Sequence, residues 1–419
     1  MRHEEILKAI YDPANRANPY PLFAELRRVP VSWQDGGPSP EGTFVVSTYR
    51  EIVALLHDPR ISSELQKGEK TASMVPPDRS SFSFMVHDPP DHDRLRQLAM
   101  RHFGPPHRSK YLAQLVPEIQ RVTQALVDDL EGERRFDLVV RVAYSLPVRI
   151  ICEILGVPRH DQPRFQVWAG TIARSAGRLT PEVLAEVHAA FAGLRGYMAE
   201  LVELRRRTPS DDLLSRMAND DGPDGRMSDP DLLATVSLLL VAGHETTTNL
   251  IANGMLTLLR HPDALERLRR EPNLVVGTVE EVLRYDPTVQ LLPTRTTLAD
   301  VSVGDVTIPK GVLVTFALAA ANRDPTRFRD PDRFDPDRKD NAHLGFGSGI
   351  HYCFGAPLAR IEAQIALTEL VQRLDGPRLV LDPPPYRESP MLRGPREMLV
   401  EVDGVRSAGE RDTRVPAST

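Results

Sequence analysis

Phe346-Gly347-Ser348-Gly349-Ile350-His351-Tyr352-Cys353-Phe354-Gly355 is the stretch on which the reading of this chain turns. It holds one of only two cysteines, and its three glycines permit tight turns and close backbone approach to a flat ligand. The run that follows, Ala356-Pro357-Leu358-Ala359-Arg360-Ile361-Glu362, reads as a helix with proline in its first turn. Cys353 therefore belongs at a helix N-terminus, where unpaired N–H groups and the positive end of the helix dipole favour thiolate over thiol. A thiolate is a soft, strongly donating metal ligand. Other uses of the stretch fit less well. A phosphate-binding loop requires Gly-Lys-Ser/Thr, which is absent, and a dinucleotide loop requires a third glycine where Tyr352 stands. A cysteine that only fills a core needs no cage of glycines.

These ten residues match, at every fixed position, the signature Phe-Gly-x-Gly-x-His-x-Cys-x-Gly, and on them the chain resembles the cytochrome P450 family. The resemblance implies a mainly α fold with a smaller β region in one large domain. It implies haem b, iron protoporphyrin IX, as cofactor, with Cys353 as the axial ligand that pushes electron density toward O–O cleavage. Phe346, Gly347, His351 and Gly355 are implied to contact the cofactor beside it.

Composition agrees. No Ser/Gly linker or abrupt shift divides the 419 residues, so residues 1–403 read as one domain and 404–419 as a disordered tail. The net charge of −6, from 52 basic and 58 acidic residues, gives no case for nucleic acid or an anionic membrane surface. Two distant cysteines suggest no disulfide framework and fit a reducing cytoplasm. The N-terminus is polar and broken by prolines through Pro30, with no apolar core for a signal peptide or membrane anchor. The 37 prolines punctuate elements and do not form a low-complexity tract. A cytoplasmic, monomeric, bacterial-type protein is expected.

Taken in order, the first part reads as a helix at 20–29, strands at 31–33 and 43–46, a helix at 49–57, and a long loop at 62–85 of the kind that carries function. Asp88-Pro89-Pro90-Asp91 opens a helix to about Phe103, with Asp91 as its cap. His92 and Arg96, at i and i+4, share one face of it, and alone they read equally as a solvated surface pair. The resemblance makes them haem-propionate ligands, and adds Arg295 and His351. Helical periodicity returns at 112–131 and 140–155, where Cys152 reads as a packed core thiol. Helical segments at 163–207, broken around Gly177–Pro181, resemble the family's mobile pair over the substrate entrance.

Ser228-Asp229-Pro230-Asp231 is a strong helix start, and the helix should run to about Arg260, roughly 48 Å at 1.5 Å per residue. Residues 232–243 carry no charge, a run too short for a membrane span, so this is a buried central helix. Glu245 interrupts it. A carboxylate there is either exposed or present for chemistry, because burial without partners is costly. The resemblance makes Ala242-Gly243-His244-Glu245-Thr246-Thr247 the oxygen-binding segment. Ala242 and Gly243 would then lie on the cofactor, Gly243 would leave room for the ligand, and Glu245 with Thr246 would form the acid–alcohol pair that delivers protons.

Glu281-Val282-Leu283-Arg284 matches the family's Glu-x-x-Arg, a weak signal alone, with Arg333 as candidate third partner and Arg338 as the alternative. Residues 288–314 read as strands, 322–338 as an irregular meander, and short strands near 379–381 and 398–402 close the fold.

The implied function is a monooxygenase that inserts one atom of O2, by hydroxylation or epoxidation, into a largely apolar small molecule such as a polyketide or other natural product. A peroxygenase would lack the acid–alcohol pair, and a non-catalytic haem sensor would not need Thr246. The electron donor is expected to be a small acidic ferredoxin with its ferredoxin reductase. It would dock beneath Cys353 on a basic patch of Arg101, His102, His107, Arg108, Lys110 and Arg360.

Overall fold

Helix Asp229–Arg260 carries the fold, and its sequence explains both its length and its place. The Ser228 side chain accepts a hydrogen bond from the Asp231 N–H, Pro230 pre-sets the first turn, and two aspartates sit at the positive end of the dipole. Residues Asn249 to Leu258 are all buried, so the second half of the helix is wrapped by protein on every side.

The computed structural model describes residues 2–36, 42–68, 83–104, 110–173, 181–222 and 225–408. Short helices α1 (Ile6–Tyr11) and α2 (Tyr20–Leu26) precede strands β1 (Val31–Gln34) and β2 (Thr43–Val46), helix α3 (Tyr49–Leu56) and strand β3 (Ile61–Ser62). A helical block follows: α4 (Asp91–Phe103), α5 (Lys110–Asp128), strand β4 (Arg135–Asp137), α6 (Ser145–Ile154), α7 (Gln162–Ala173), α8 (Pro181–Arg207) and α9 (Leu213–Ala218). The long helix is α10, and α11 (Pro262–Arg270) and α12 (Val275–Tyr285) come after it. Strands β5 (Leu292–Thr297), β6 (Val301–Val303), β7 (Val306–Ile308) and β8 (Leu313–Phe316) lead through α13 (Leu318–Ala321) to α14 (Ala356–Arg373). Strands β9 (Leu374–Asp375), β10 (Arg378–Leu379), β11 (Leu399–Glu401) and β12 (Gly404–Val405) end it.

One continuous apolar core joins α4, α5, α6, α10, α12 and α14, and smaller clusters lie under the sheet and the N-terminal helices. The main sheet has the order β1-β2-β8-β5-β3, with β2 parallel to β8 (Phe44 opposite Val314) and the other pairs antiparallel. No helix among the described residues is long and apolar enough to cross a membrane.

Several expectations need correction. Asp91 does not cap α4: the helix begins at Asp91 itself, and Pro90 before it provides no side-chain bond. The segment at 139–143 is a wide π turn, closed by Tyr144 N–H on the Val139 carbonyl, before α6 proper begins. The tail is not free from residue 404, because Gly404 and Val405 pair with Asp375 and Leu374. Residues 409–419, most of the long loop (69–82) and most of the break at 177–181 lie outside the described residues.

The third partner of the buried pair on α12 is Arg338, not Arg333. Glu281 and Arg284 are both fully buried and joined by two 2.8 Å bonds, and Arg338 Nε lies 3.2 Å from each Glu281 oxygen. Arg333 supplies only its carbonyl, which accepts from Arg284 at 3.0 Å. The choice follows from the backbone: the Asp335 N–H bonds Glu281, so the chain reaches the carboxylate at 335 and the side chain three residues later turns back onto it. One residue along α12, Glu280 bonds Arg360 of α14 and His343. Burial raises its pKa, but the hydrogen bonds and charge of Arg360, with the His343 bond, outweigh that and pull the carboxyl down to about 2. The segment presenting Cys353 is thus fastened to α12 from two sides.

Candidate functional site

Cys353 precedes the first turn of α14, as its sequence predicts. Burial pushes its thiol up, while the Gly355 N–H, Arg96 and the Ala356 N–H favour the anion. The loop before it depends on two glycines at φ +73°: Gly347 faces open space, and a Cβ on Gly349 would fall 2.3 Å from the Leu56 carbonyl oxygen. The Cys353 N–H closes the loop on the Phe346 carbonyl at 3.0 Å. Phe346 is capped by the Arg360 guanidinium at 4.5 Å, and Phe354 packs on Phe103 at 4.7 Å. Cys152, by contrast, is fully buried in the core, and burial pushes its thiol up to about 12.

A cavity of about 880 Å³ opens above Cys353. Its floor is Phe346, Gly347, Cys353, Phe354, Gly355, Leu358 and Ala359, and its far wall is Leu239, Ala242, Gly243, Thr246 and Thr247 of α10. The Thr246 hydroxyl donates to the Ala242 carbonyl at 3.0 Å, and Thr247 does the same to Gly243 at 3.3 Å. Gly243 has a packing reason to be glycine that the sequence did not disclose. A Cβ there would lie 3.1 Å from Ile151 Cδ1 of α6, so α10 and α6 approach closely at that point.

Arg96 of α4, Arg295 of β5 and His351 of the cysteine loop line the cavity, and His92 of α4, which does not line it, packs against His351. The His92 and His351 rings lie 4.4 Å apart. Among the described residues, His92 Nδ1 meets Asp93 while its Nε2 is buried without a partner. Arg295 is buried, its hydrogen-bond acceptors among the described residues are the carbonyls of Pro293 and Thr294, and burial depresses it to about 10. Burial, with Arg295 and His92 nearby, pushes His351 down to about 3. Asp88, the acid that acts on Arg295 and His351, is already taken by Ser62, the Ser63 N–H and Lys67. A buried guanidinium with only carbonyl acceptors, close to a buried imidazole nitrogen without a partner among the described residues, calls for an anionic partner. The set therefore fits a flat group with carboxylates on one edge and a soft-ligand metal at its centre, which is the chemistry of haem b.

The expected acid–alcohol pair is only half in place. Thr246 lines the cavity, whereas Glu245 does not: its carboxylate is buried and bonded to Arg387 Nη1 at 2.8 Å. Arg387 lies in an irregular segment near the C-terminus and carries no periodicity or motif. The one available signal was the need of any buried carboxylate for a cation. Three residues of the expected basic patch have acidic partners. Arg101 and His102 both bond Asp220, Arg360 bonds Glu280, and His107 and Arg108 lie outside the described residues. From the long loop, Lys67, Phe84 and Met85 line the cavity, together with Leu238, Val289, Leu291, Leu292, Pro293, Met391 and Leu392. The segment at 163–207, expected over the substrate entrance, contributes no described residue.

Residues 37–400 match the family described as Cytochrome P450. Among characterised proteins, the monooxygenase PikC of Streptomyces venezuelae is 38% identical over 403 residues, 94% of each chain. The 6-deoxyerythronolide B hydroxylase of Saccharopolyspora erythraea is 35% identical over 402 residues, 92% of this chain and 96% of that one. Among solved structures, CYP164A2 of Mycobacterium smegmatis superposes with a TM-score of 0.86 at 38% identity, covering 95% of this chain and all of that one.

Proposed function

The chain belongs to the cytochrome P450 family and is a haem-thiolate monooxygenase that binds haem b, and from that premise we propose which of its residues do the work and on what substrate. Cys353 ligates the iron, and Phe346, Gly347, Gly355, Ala242 and Gly243 enclose the macrocycle. His92, Arg96, Arg295 and His351 hold the propionates. Bound haem supplies O2 activation with two electrons, leaving one oxygen atom in the product and one in water. Thr246, facing the cavity opposite Cys353, positions the proton-donating water through its hydroxyl, and Glu245 supplies the proton from behind. The observation that carries this reading is the cavity itself, which Cys353, Thr246 and the cations Arg96 and Arg295 all line.

The proton role is testable at Thr246. Thr246→Ala should leave substrate affinity within about twofold, under 0.5 kcal/mol, while the share of electrons lost as hydrogen peroxide rises several-fold. Product per electron equal to that of the parent would remove Thr246 from proton delivery.

The substrate we propose is a bulky apolar natural product of the macrolactone kind. The cavity lining is mainly apolar, with Phe84, Met85, Ile151, Leu238, Leu292 and Met391 in it, and Thr246, Thr247 and Thr288 among its polar residues. Such a lining rewards apolar area at about 25 cal/mol per Å². PikC, the 6-deoxyerythronolide B hydroxylase and a mycinamicin IV hydroxylase/epoxidase are among its relatives. A titration with 6-deoxyerythronolide B should shift the haem spin state with a Kd on the order of 10 μM, about −7 kcal/mol. A charged sugar phosphate should give no shift. Equal responses to both would contradict the apolar assignment.

Bacterial members of the family generally take electrons from a redox partner. For this chain we propose a ferredoxin served by ferredoxin reductase, acting on a monomeric P450.

A further inference from the structure

Arg387 Nη1 lies 2.8 Å from Glu245 Oε1, and their side chains are 24% and 8% exposed. Arg387 belongs to residues 385–396, a hairpin closed by its N–H on the Gly394 carbonyl (3.1 Å) and by the Arg396 N–H on the Pro385 carbonyl (2.8 Å). The same hairpin carries Met391 and Leu392 into the cavity wall, where Gln290 N–H bonds the Met391 carbonyl at 2.8 Å. One short segment therefore holds the partner of Glu245 and two apolar side chains on which a ligand filling the cavity presses.

The arrangement also leaves polar groups idle. Among the described residues, Arg387 Nε is buried without a partner. Asn249, one helical turn from Glu245 on the same side of α10, is fully buried with both ends of its amide unpartnered among the described residues. It lies directly beneath the hairpin, since a Cβ on Gly394 would fall 2.2 Å from Asn249 Oδ1. The amide is a donor within reach of a carboxylate that lets go of Arg387.

We propose that Arg387 is a positioning residue that latches Glu245: with the cavity empty it holds the carboxylate against the hairpin, and a ligand bearing on Met391 and Leu392 shifts the hairpin and releases the carboxylate to the Asn249 amide. This rests on the proton role proposed for Glu245, and it makes proton supply depend on an occupied cavity. A ligand that opens the latch spends part of its binding free energy doing so. Coupling between two sites is reciprocal, so removing the latch must tighten that ligand.

The test compares two azoles on the haem-loaded protein. Imidazole and econazole both bind iron through an azole nitrogen, but only econazole has the bulk to fill the apolar cavity. Arg387→Met should tighten econazole about fivefold, at the lower end of typical coupling, and move imidazole by less than about twofold. Arg387→Lys, which keeps the charge, should fall between. Glu245→Gln should reproduce the Arg387→Met gain, and the double variant should add nothing further, as expected for one shared contact. In the parent, econazole but not imidazole should speed hydrogen exchange at the Arg387 amide. Unchanged or weaker econazole binding relative to imidazole, or additive gains in the double variant, would overturn the latch. Should Arg387→Met fail to fold, Arg387→Lys and Glu245→Gln carry the same comparison. The proton role stands or falls separately, on product per electron in Glu245→Gln with a turned-over substrate.

Discussion

Cys353→Ser abolishes the red-shifted Soret band of the reduced carbon monoxide complex and all monooxygenase turnover, while Cys152→Ser leaves both intact. The expectation rests on where the two sulfurs lie. Cys353 stands before the first turn of α14 and borders the cavity, and although burial raises its thiol, the Gly355 and Ala356 N–H groups and the Arg96 guanidinium oppose that. Cys152 is sealed in the core away from the cavity, and burial pushes its thiol up to about 12. A serine hydroxyl at 353 keeps the size but not the soft, electron-donating character on which the band and the chemistry depend. Reduced carbon monoxide spectra of the two variants, normalised to bound haem, give the answer. Persistence of the band in Cys353→Ser would undo the site assignment as a whole.

Arg284→Leu prevents accumulation of folded, haem-loaded protein. Glu281 and Arg284 have no exposed side-chain surface, and removing one partner of such a pair costs about 3–5 kcal/mol because the other charge stays buried. Arg284 also donates to the carbonyls of Asn322, Pro331 and Arg333, and each buried acceptor left unpaired costs about 1–3 kcal/mol. The sum is comparable with the whole stability of a domain, about 5–15 kcal/mol. Arg338→Leu should be milder, about 1–3 kcal/mol, since Glu281 keeps Arg284, the Asp335 N–H and Asn341. Arg333→Leu, on an exposed side chain, should stay within about 0.5 kcal/mol. Thermal unfolding of the three variants ranks them. A larger loss from Arg333→Leu than from Arg338→Leu would reverse the assignment of the third partner.

What the sequence determined by itself is local. The glycine-caged cysteine before a Pro-started helix, the Ser228 cap, the uncharged run to Gly243 and the His92/Arg96 spacing all express constraints that act within a few residues. Capping, dipole and periodicity depend only on near neighbours, so these elements were legible, and the helix at 229–260 matches residue for residue. What only the tertiary structure decided is partnership across long separations. That Arg338 completes the Glu281 pair, that Arg387 holds Glu245 from 142 positions away, that Ile151 packs close against Gly243, and that Gly404–Val405 pairs with Leu374–Asp375 are facts about surfaces brought together by folding. A buried charge announces that it needs a counter-charge. Which of the 52 basic residues supplies it depends on chain paths that no local pattern encodes.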